Sequence, residues 1–253
     1  MKTFFFSLAL GFLLTNAHAQ IDIEEVKAIL ATKYFNAFDD LYKKSAELEL
    51  ARSHIFREVI PKYREGVFFF PKHTKNRTKR VKLSIENFRV RLITYENNII
   101  FYELSEERYR ENYDFYFTLE KYKDEKAFLL FKKEFKSLFQ TEMNEKELFV
   151  TNFAYGTNCG YDGMPPKGEF QKQQFVARKD KNALIIWLKS TNTEKQLYAL
   201  SGLYELKKSG CQFSPEEKHL IKIVRNKKGK IFYCTGCTYF LEDIKFITEK
   251  FKF

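Results

Sequence analysis

The chain has 253 residues, with 44 Lys and Arg against 33 Asp and Glu, for a formal net charge of +11. Hydrophobic residues make up 44% and aromatics 17%, which supplies a real core and excludes the composition of an intrinsically disordered protein. Ten Gly and five Pro exclude a collagen-like or Pro-rich filament, and no repeat period runs through the chain.

Met1-Lys2 is a short positive start, followed by an apolar run from Phe4 to Leu14 and the small-x-small triplet Ala17-His18-Ala19. This layout predicts a secretory signal peptide over residues 1–19, cleaved after Ala19 to leave Gln20 first. The apolar run is far shorter than the ~20 residues that span a bilayer, so a membrane helix is not expected there. Cleavage removes Lys2 and no acid, so the mature chain stays strongly basic. The longest later apolar run, Ala183 to Leu188, is shorter still, and no transmembrane segment is expected in the mature chain. The expected location is a periplasm or the cell exterior.

Two units are expected, an α+β domain over residues 20–153 and a helical, Cys-containing domain over residues 154–253. In the first, Asp22 and Glu25 form a capping-box-like start, and Ile23, Val26, Leu30, Tyr34, Phe38 and Leu41 make a helical stripe. Helical character is expected to continue towards Phe56, until Pro61 stops it. From Gly66 the period becomes two, which predicts strands at 67–70, 81–85, 88–94, 99–104 and 115–119. Asn87, Asn97 and Asn98 suit the turns between them. Short connections favour an antiparallel meander. Phe128, Phe131, Phe135 and Leu138 mark a further helix capped by Asp124.

Gly156, Gly160, Gly163, Pro165, Pro166 and Gly168 predict a loop at the start of the second unit. Within it Tyr155, Asn158, Tyr161 and Asp162 are candidate recognition groups. Helices are expected over 170–190, over 193–208 with Gly210 as C-cap, and after Ser214-Pro215 until Gly229. Ala183 to Ser190 together with Gln196 to Leu206 resembles a HEAT-type helical pair (about residues 183–208). That likeness implies tight helix-on-helix packing with a binding face. Lys230 to Tyr233 reads as a strand and Tyr239 to Phe251 as a helix.

Cys159, Cys211, Cys234 and Cys237 all lie in the second unit. An even count in an exported chain favours disulfides, with three possible pairings. If helices 170–189 and 193–208 run antiparallel, Cys211 approaches Cys159, and a Cys159–Cys211 bond is the favoured pair. Strand, CxxC and helix at 230–251 also resembles the thioredoxin active site locally. That alternative makes Cys234 a nucleophile and Cys237 its resolving thiol. Too little chain follows Cys237 to complete that fold. A further alternative gathers Cys159, Cys211, Cys234 and Cys237 around zinc, although only one CxxC pair is present.

Two charge runs are candidate anion-binding patches. The first is Lys72, Lys75, Arg77, Lys79, Arg80 and Lys82; the second is Lys218, Lys222, Arg225, Lys227, Lys228 and Lys230. Asn76-Arg77-Thr78 also matches a glycosylation sequon. After cleavage His54, His73 and His219 remain, at no metal-ligand spacing. HExxH, P-loop, GxGxxG, GxSxG and EF-hand patterns are absent. No cofactor is therefore expected. The leading expectation is an exported, disulfide-stabilised, non-enzymatic binding protein for an anionic surface or an acidic protein, with nucleic acid not the expected partner outside the cell.

Overall fold

The computed structural model describes residues 22–47, 54–71, 87–110, 113–160, 163–236 and 238–253. The expected signal peptide, the first basic run with its sequon, the strand at 81–85, Tyr161, Asp162 and Cys237 all lie outside the described residues.

Helix α1 (Ile23–Ala31) is started by Asp22, whose carboxylate accepts from the Glu24 amide at 2.9 Å, and it buries Val26 and Leu30. The helical stripe does not run on unbroken. Lys33 takes a left-handed backbone (φ 64°), and α2 (Phe35–Glu47) starts in a new direction. The break is held from outside, because the Phe35 amide donates to Asn97 O and the Ile99 amide to Lys33 O, each at 2.8 Å.

The expected helical character does not reach Phe56: residues 55–60 form strand β1 (Ile55–Ile60). Both faces of this strand are covered, which erases the alternation that would reveal it. Phe56 stacks on Phe35 with ring centroids 4.3 Å apart, while Ile55, Arg57 and Val59 are buried on the other side. The chain then turns at Lys62 (φ 73°) into β2 (Tyr63–Pro71). Strands β3 (Asn87–Tyr95), β4 (Asn98–Arg110) and β5 (Tyr113–Lys123) complete a five-stranded antiparallel meander in sequential order. The left-handed residue of the β3–β4 turn is Glu96 (φ 52°) and not an Asn.

One face of this sheet packs on α1 and α2, with the Phe38 ring edge-on to Phe68 at 4.9 Å. The opposite face receives α3 (Glu125–Phe139), capped by Asp124, which accepts from the Ala127 amide at 2.9 Å. Phe128, Phe131, Phe135 and Phe139 are all buried, and Phe131 stacks on Tyr63 at 4.7 Å. Period-3.6 spacing of aromatics thus places a whole apolar stripe on the sheet.

The expected loop at 156–168 contains a strand, β6 (Tyr155–Cys159). Its glycine is structural, since a Cβ on Gly156 would lie 2.1 Å from Cys234 O. The expected helix at 170–190 is two helices, α4 (Lys167–Ala177) and α5 (Lys181–Leu188). Lys179 is left-handed (φ 53°), and Asp180 caps the second piece through the Ala183 amide at 3.0 Å. Helices α6 (Thr193–Lys208) and α7 (Pro215–Arg225) follow as expected. Strand β7 (Lys230–Gly236) pairs parallel with β6 and antiparallel with β8 (Thr238–Asp243), and α8 (Ile244–Thr248) closes the chain. Residues 239–251 are therefore a strand and a short helix, not one helix.

A single apolar cluster runs from Val59, Tyr63 and Phe101 through the α3 phenylalanines to Leu184, Leu203, Val224 and Ile231. The change of composition near residue 154 is thus bridged by a shared core. A backbone bridge between Arg57 and Gly229, and a bond from the Glu58 amide to Lys228 O at 2.9 Å, join the two sheets directly.

Candidate anion-binding surface

The cysteines resolve first. Cys159 is bonded to Cys234, with Cα atoms 5.7 Å apart, and Cys211 is free. The expected Cys159–Cys211 bond is overturned by the direction of the helices. Gly168 lies against Tyr198, and Lys172 against Gly202 and Glu205, so α4 and α6 run parallel. The end of α6 therefore sits by the end of α4, away from Cys159. Parallel pairing of β6 with β7 instead sets Gly156 opposite Cys234 and Cys159 opposite Gly236. Closing the 75-residue separation stabilises the fold by about 4 kcal/mol in the chain-entropy account.

This bond also removes the basis of the thioredoxin-like alternative. Cys234 is buried, bonded to Cys159 and followed by strand β8, where that alternative needs a helix. The four-cysteine zinc arrangement is not assembled, because two of its thiols are spent in the disulfide. Among the described residues no group of three or more His, Cys, Asp or Glu is placed to hold a metal. Of the histidines, His54 stacks on Phe68 at 5.0 Å, where burial lowers its pKa, and His219 lines a small surface cavity beside Glu58. Tyr155 is buried against Tyr198 at 4.7 Å and is not a recognition group, while Asn158 is exposed.

The second basic run separates into two environments. Ser214 opens α7 with a full capping box: its hydroxyl accepts from the Glu217 amide at 3.2 Å, and its own amide donates to Glu217 at 2.8 Å. Leu220, Ile221 and Val224 face the core, which turns Lys218, Lys222 and Arg225 outward along successive turns. The last turn of α6 brings Lys207 opposite them, its ammonium bonded to Lys252 O at 3.2 Å. Between α6 and α7 lies a cavity of about 710 Å³ edged by these four cations. Phe213, Ile221 and Phe253 supply apolar wall, Phe213 and Phe253 with ring centroids 6.1 Å apart, and Cys211 also borders the space.

Among the described residues no acidic side chain lines this cavity. The acid nearest in sequence, Glu217, is paired to Lys181 at 2.9 Å instead. Among the described residues none of Lys207, Lys218, Lys222 and Arg225 has a carboxylate within 4.0 Å. Lys and Arg offer only donors, so the site matches a ligand group that only accepts, namely an anion. The shared spacing of Lys218, Lys222 and Arg225 was legible in the sequence. The contribution of Lys207, Phe213 and Phe253 was not, because it depends on how α6, α7 and the C-terminal residues meet.

Lys227 belongs to the other environment. It is 3% exposed and sits beside Arg57, Glu65 and Glu194, which are 1%, 0% and 0% exposed. The Arg57 guanidinium donates from Nε to Glu65 Oε1 at 2.7 Å and from Nη1 to Glu194 Oε1. The second Glu65 oxygen accepts from the Phe149 amide at 2.6 Å. Among the described residues Arg57 Nη2, Glu194 Oε2 and Lys227 Nζ have no hydrogen-bond partner. Burial, reinforced by the positive charge of Arg57, pulls the Lys227 amine down to about 7. Burial also raises Glu194 from its usual carboxylate range, against the attraction of Arg57. Burial opposes the charged form of Arg57, but the two carboxylates outweigh it and its pKa is raised. The sequence offered no signal for this cluster, since Arg57 lies in a strand that reads as helix.

The fold and site define an α+β protein with, among its described residues, one disulfide, a buried ionic junction and a cationic cavity. Comparison of the chain with family models, with curated proteins and with solved structures finds no match. No helix among the described residues is long and apolar enough to cross a membrane.

Proposed function

We propose that the protein is exported and acts as a non-enzymatic binding protein, with the surface between α6 and α7 as the seat of an anionic partner. The observation that carries this reading is the cavity edged by Lys207, Lys218, Lys222 and Arg225, with no Asp or Glu side chain among the described residues of its wall. Four cations with no ion pair among the described residues repel one another, and an anion relieves that repulsion. The signal-peptide layout of residues 1–19 supports export, and a disulfide is at home in an oxidising compartment. In the same reading, residues 183–208, with their likeness to a HEAT-type pair, are the scaffold that fixes Lys207 against α7.

The test is retention on immobilised heparin, used as a generic polyanion, with the variant Lys222→Gln/Arg225→Gln alongside. The expected result is elution by added salt, at a markedly lower concentration for the variant. Retention that ignores salt, or equal retention of the variant, overturns the assignment of the site. Sequencing the N-terminus of the exported protein checks the cleavage after Ala19.

A further inference from the structure

Resting on that reading, we infer that the cavity between α6 and α7 takes a single-tailed amphiphile with a carboxylate head, of the fatty-acid class. The space of about 710 Å³ falls in the range of small-molecule sites, roughly 300–1,000 Å³. Its lining is of two kinds. Phe213 and Ile221 are buried side chains that present apolar wall, and Phe253 adds a half-buried ring. Lys207, Lys218 and Lys222 are exposed at the rim, with Arg225 half-buried beside them. A ligand that satisfies both parts has one anionic end and an apolar body.

Two features favour a singly charged head. The cavity runs along α7 from Phe213 and Lys218 to Asn226, and it reaches the C-terminal ends of both helices, with Lys207 in the last turn of α6 and Arg225 in the last turn of α7. Each helix end carries roughly half a negative charge, which offsets part of the cationic rim and disfavours a multiply charged ligand. Arg225 is the one planar fork in the set, suited to grip a carboxylate through two parallel hydrogen bonds. The lysines of α7 stand one turn apart, about 5–6 Å, so that two of them reach one head group. A polyanion would engage the rim and leave the half-buried Phe253 ring uncovered.

Cys211 gives a built-in reporter, since it is free, half-buried and borders the cavity. The experiment is calorimetric titration of the purified protein with dodecanoate below its micellar concentration, with alkylation of Cys211 followed by peptide mass. Dodecanoate is expected to bind, to slow Cys211 alkylation at least fivefold, and to gain up to about fourfold in affinity per added methylene between octanoate and dodecanoate. Lys222→Gln/Arg225→Gln is expected to weaken binding at least tenfold, and dodecyltrimethylammonium to be ignored. Cys211 protection is read on the unmodified chain, so the result does not depend on how a variant folds.

Binding without protection of Cys211, or without dependence on chain length, overturns the inference. So does binding of phosphatidylglycerol vesicles in place of monomeric dodecanoate, which would make the occupant a membrane surface. Heparin retention without dodecanoate binding overturns the inference while leaving the anionic-partner reading intact. Failure of both removes both.

Discussion

Residues 218–230 supply lysine to two regions a few residues apart, and the two regions behave as opposites. On the outer side, Lys218 and Lys222 stand in water around a cavity with no acid among the described residues of its wall. On the inner side, Lys227 is sealed against Arg57, Glu65 and Glu194. Solvent screens the mutual repulsion of the first set, so it persists at modest cost and stays available to a ligand. The second set has lost its water, and every charge there depends on its neighbour. What separates them is the end of α7 at Asn226, beyond which the chain runs against β1, not residue type.

The sharpest way to break this contrast is Arg57→Met. It leaves Glu65 and Glu194 buried without their guanidinium, and the expected loss is about 3–5 kcal/mol of unfolding free energy in urea titration. A loss below about 1 kcal/mol would mean that water reaches the junction.

Lys227→Met is expected to act in the opposite sense. The amine titrates near 7 in the folded protein and at 10.5 in its ordinary state. The unfolded chain therefore binds the extra proton, and stability from this group rises with pH between about 7 and 10.5. Its cost is fully present below 7 and absent above 10.5. Replacing it with Met removes that cost, so the variant should gain on the order of 2–4 kcal/mol at pH 7 and show a flatter stability profile up to pH 10. Parallel profiles for the two proteins would place the Lys227 amine in contact with solvent or paired with a carboxylate.

Gly229→Ala probes the backbone that joins the two sheets. Gly229 has φ 113°, and a Cβ there would lie 2.4 Å from Arg57 Cα. A loss of about 2–3 kcal/mol is expected, from steric clash and an unfavourable backbone angle together. An unchanged melting curve would show that β1 and β7 are not held this closely.

The smallest effect on stability belongs to Lys222→Gln/Arg225→Gln. Both side chains lack ion-pair partners among the described residues, so the change in unfolding free energy should stay within about 0.5 kcal/mol while anion binding falls. A larger loss of stability would give these cations a structural part and blur the distinction between the two regions.

Legibility in the sequence followed the exposure of each element. Strand β3, with Val90 and Leu92 alternating against Arg89 and Arg91, shows its period because Arg89 and Arg91 retain some exposure on one face. Helix α7 shows its start because Ser214, Pro215 and Glu217 are local capping chemistry. Strand β1 was hidden because helices cover one side and a buried ion pair the other. Strand β6 was hidden because the close approach of Cys234 O demands a glycine, which reads as loop. The break between α4 and α5 was hidden because Lys179 and Asp180 carry no Gly or Pro signal for a left-handed turn.

By itself, then, the amino-acid order determined the antiparallel meander, the aromatic stripe of α3, the capping of α7 and the outward lysines of its exposed face. These are properties of neighbours within one or two turns or one hairpin, where periodicity and capping act. Only the tertiary structure decided which cysteine meets Cys159, which lysine is dry and which residues complete the cavity. Those outcomes turn on the parallel course of α4 beside α6 and of β6 beside β7, and such long-range pairing is set by burial of the whole core rather than by any local pattern.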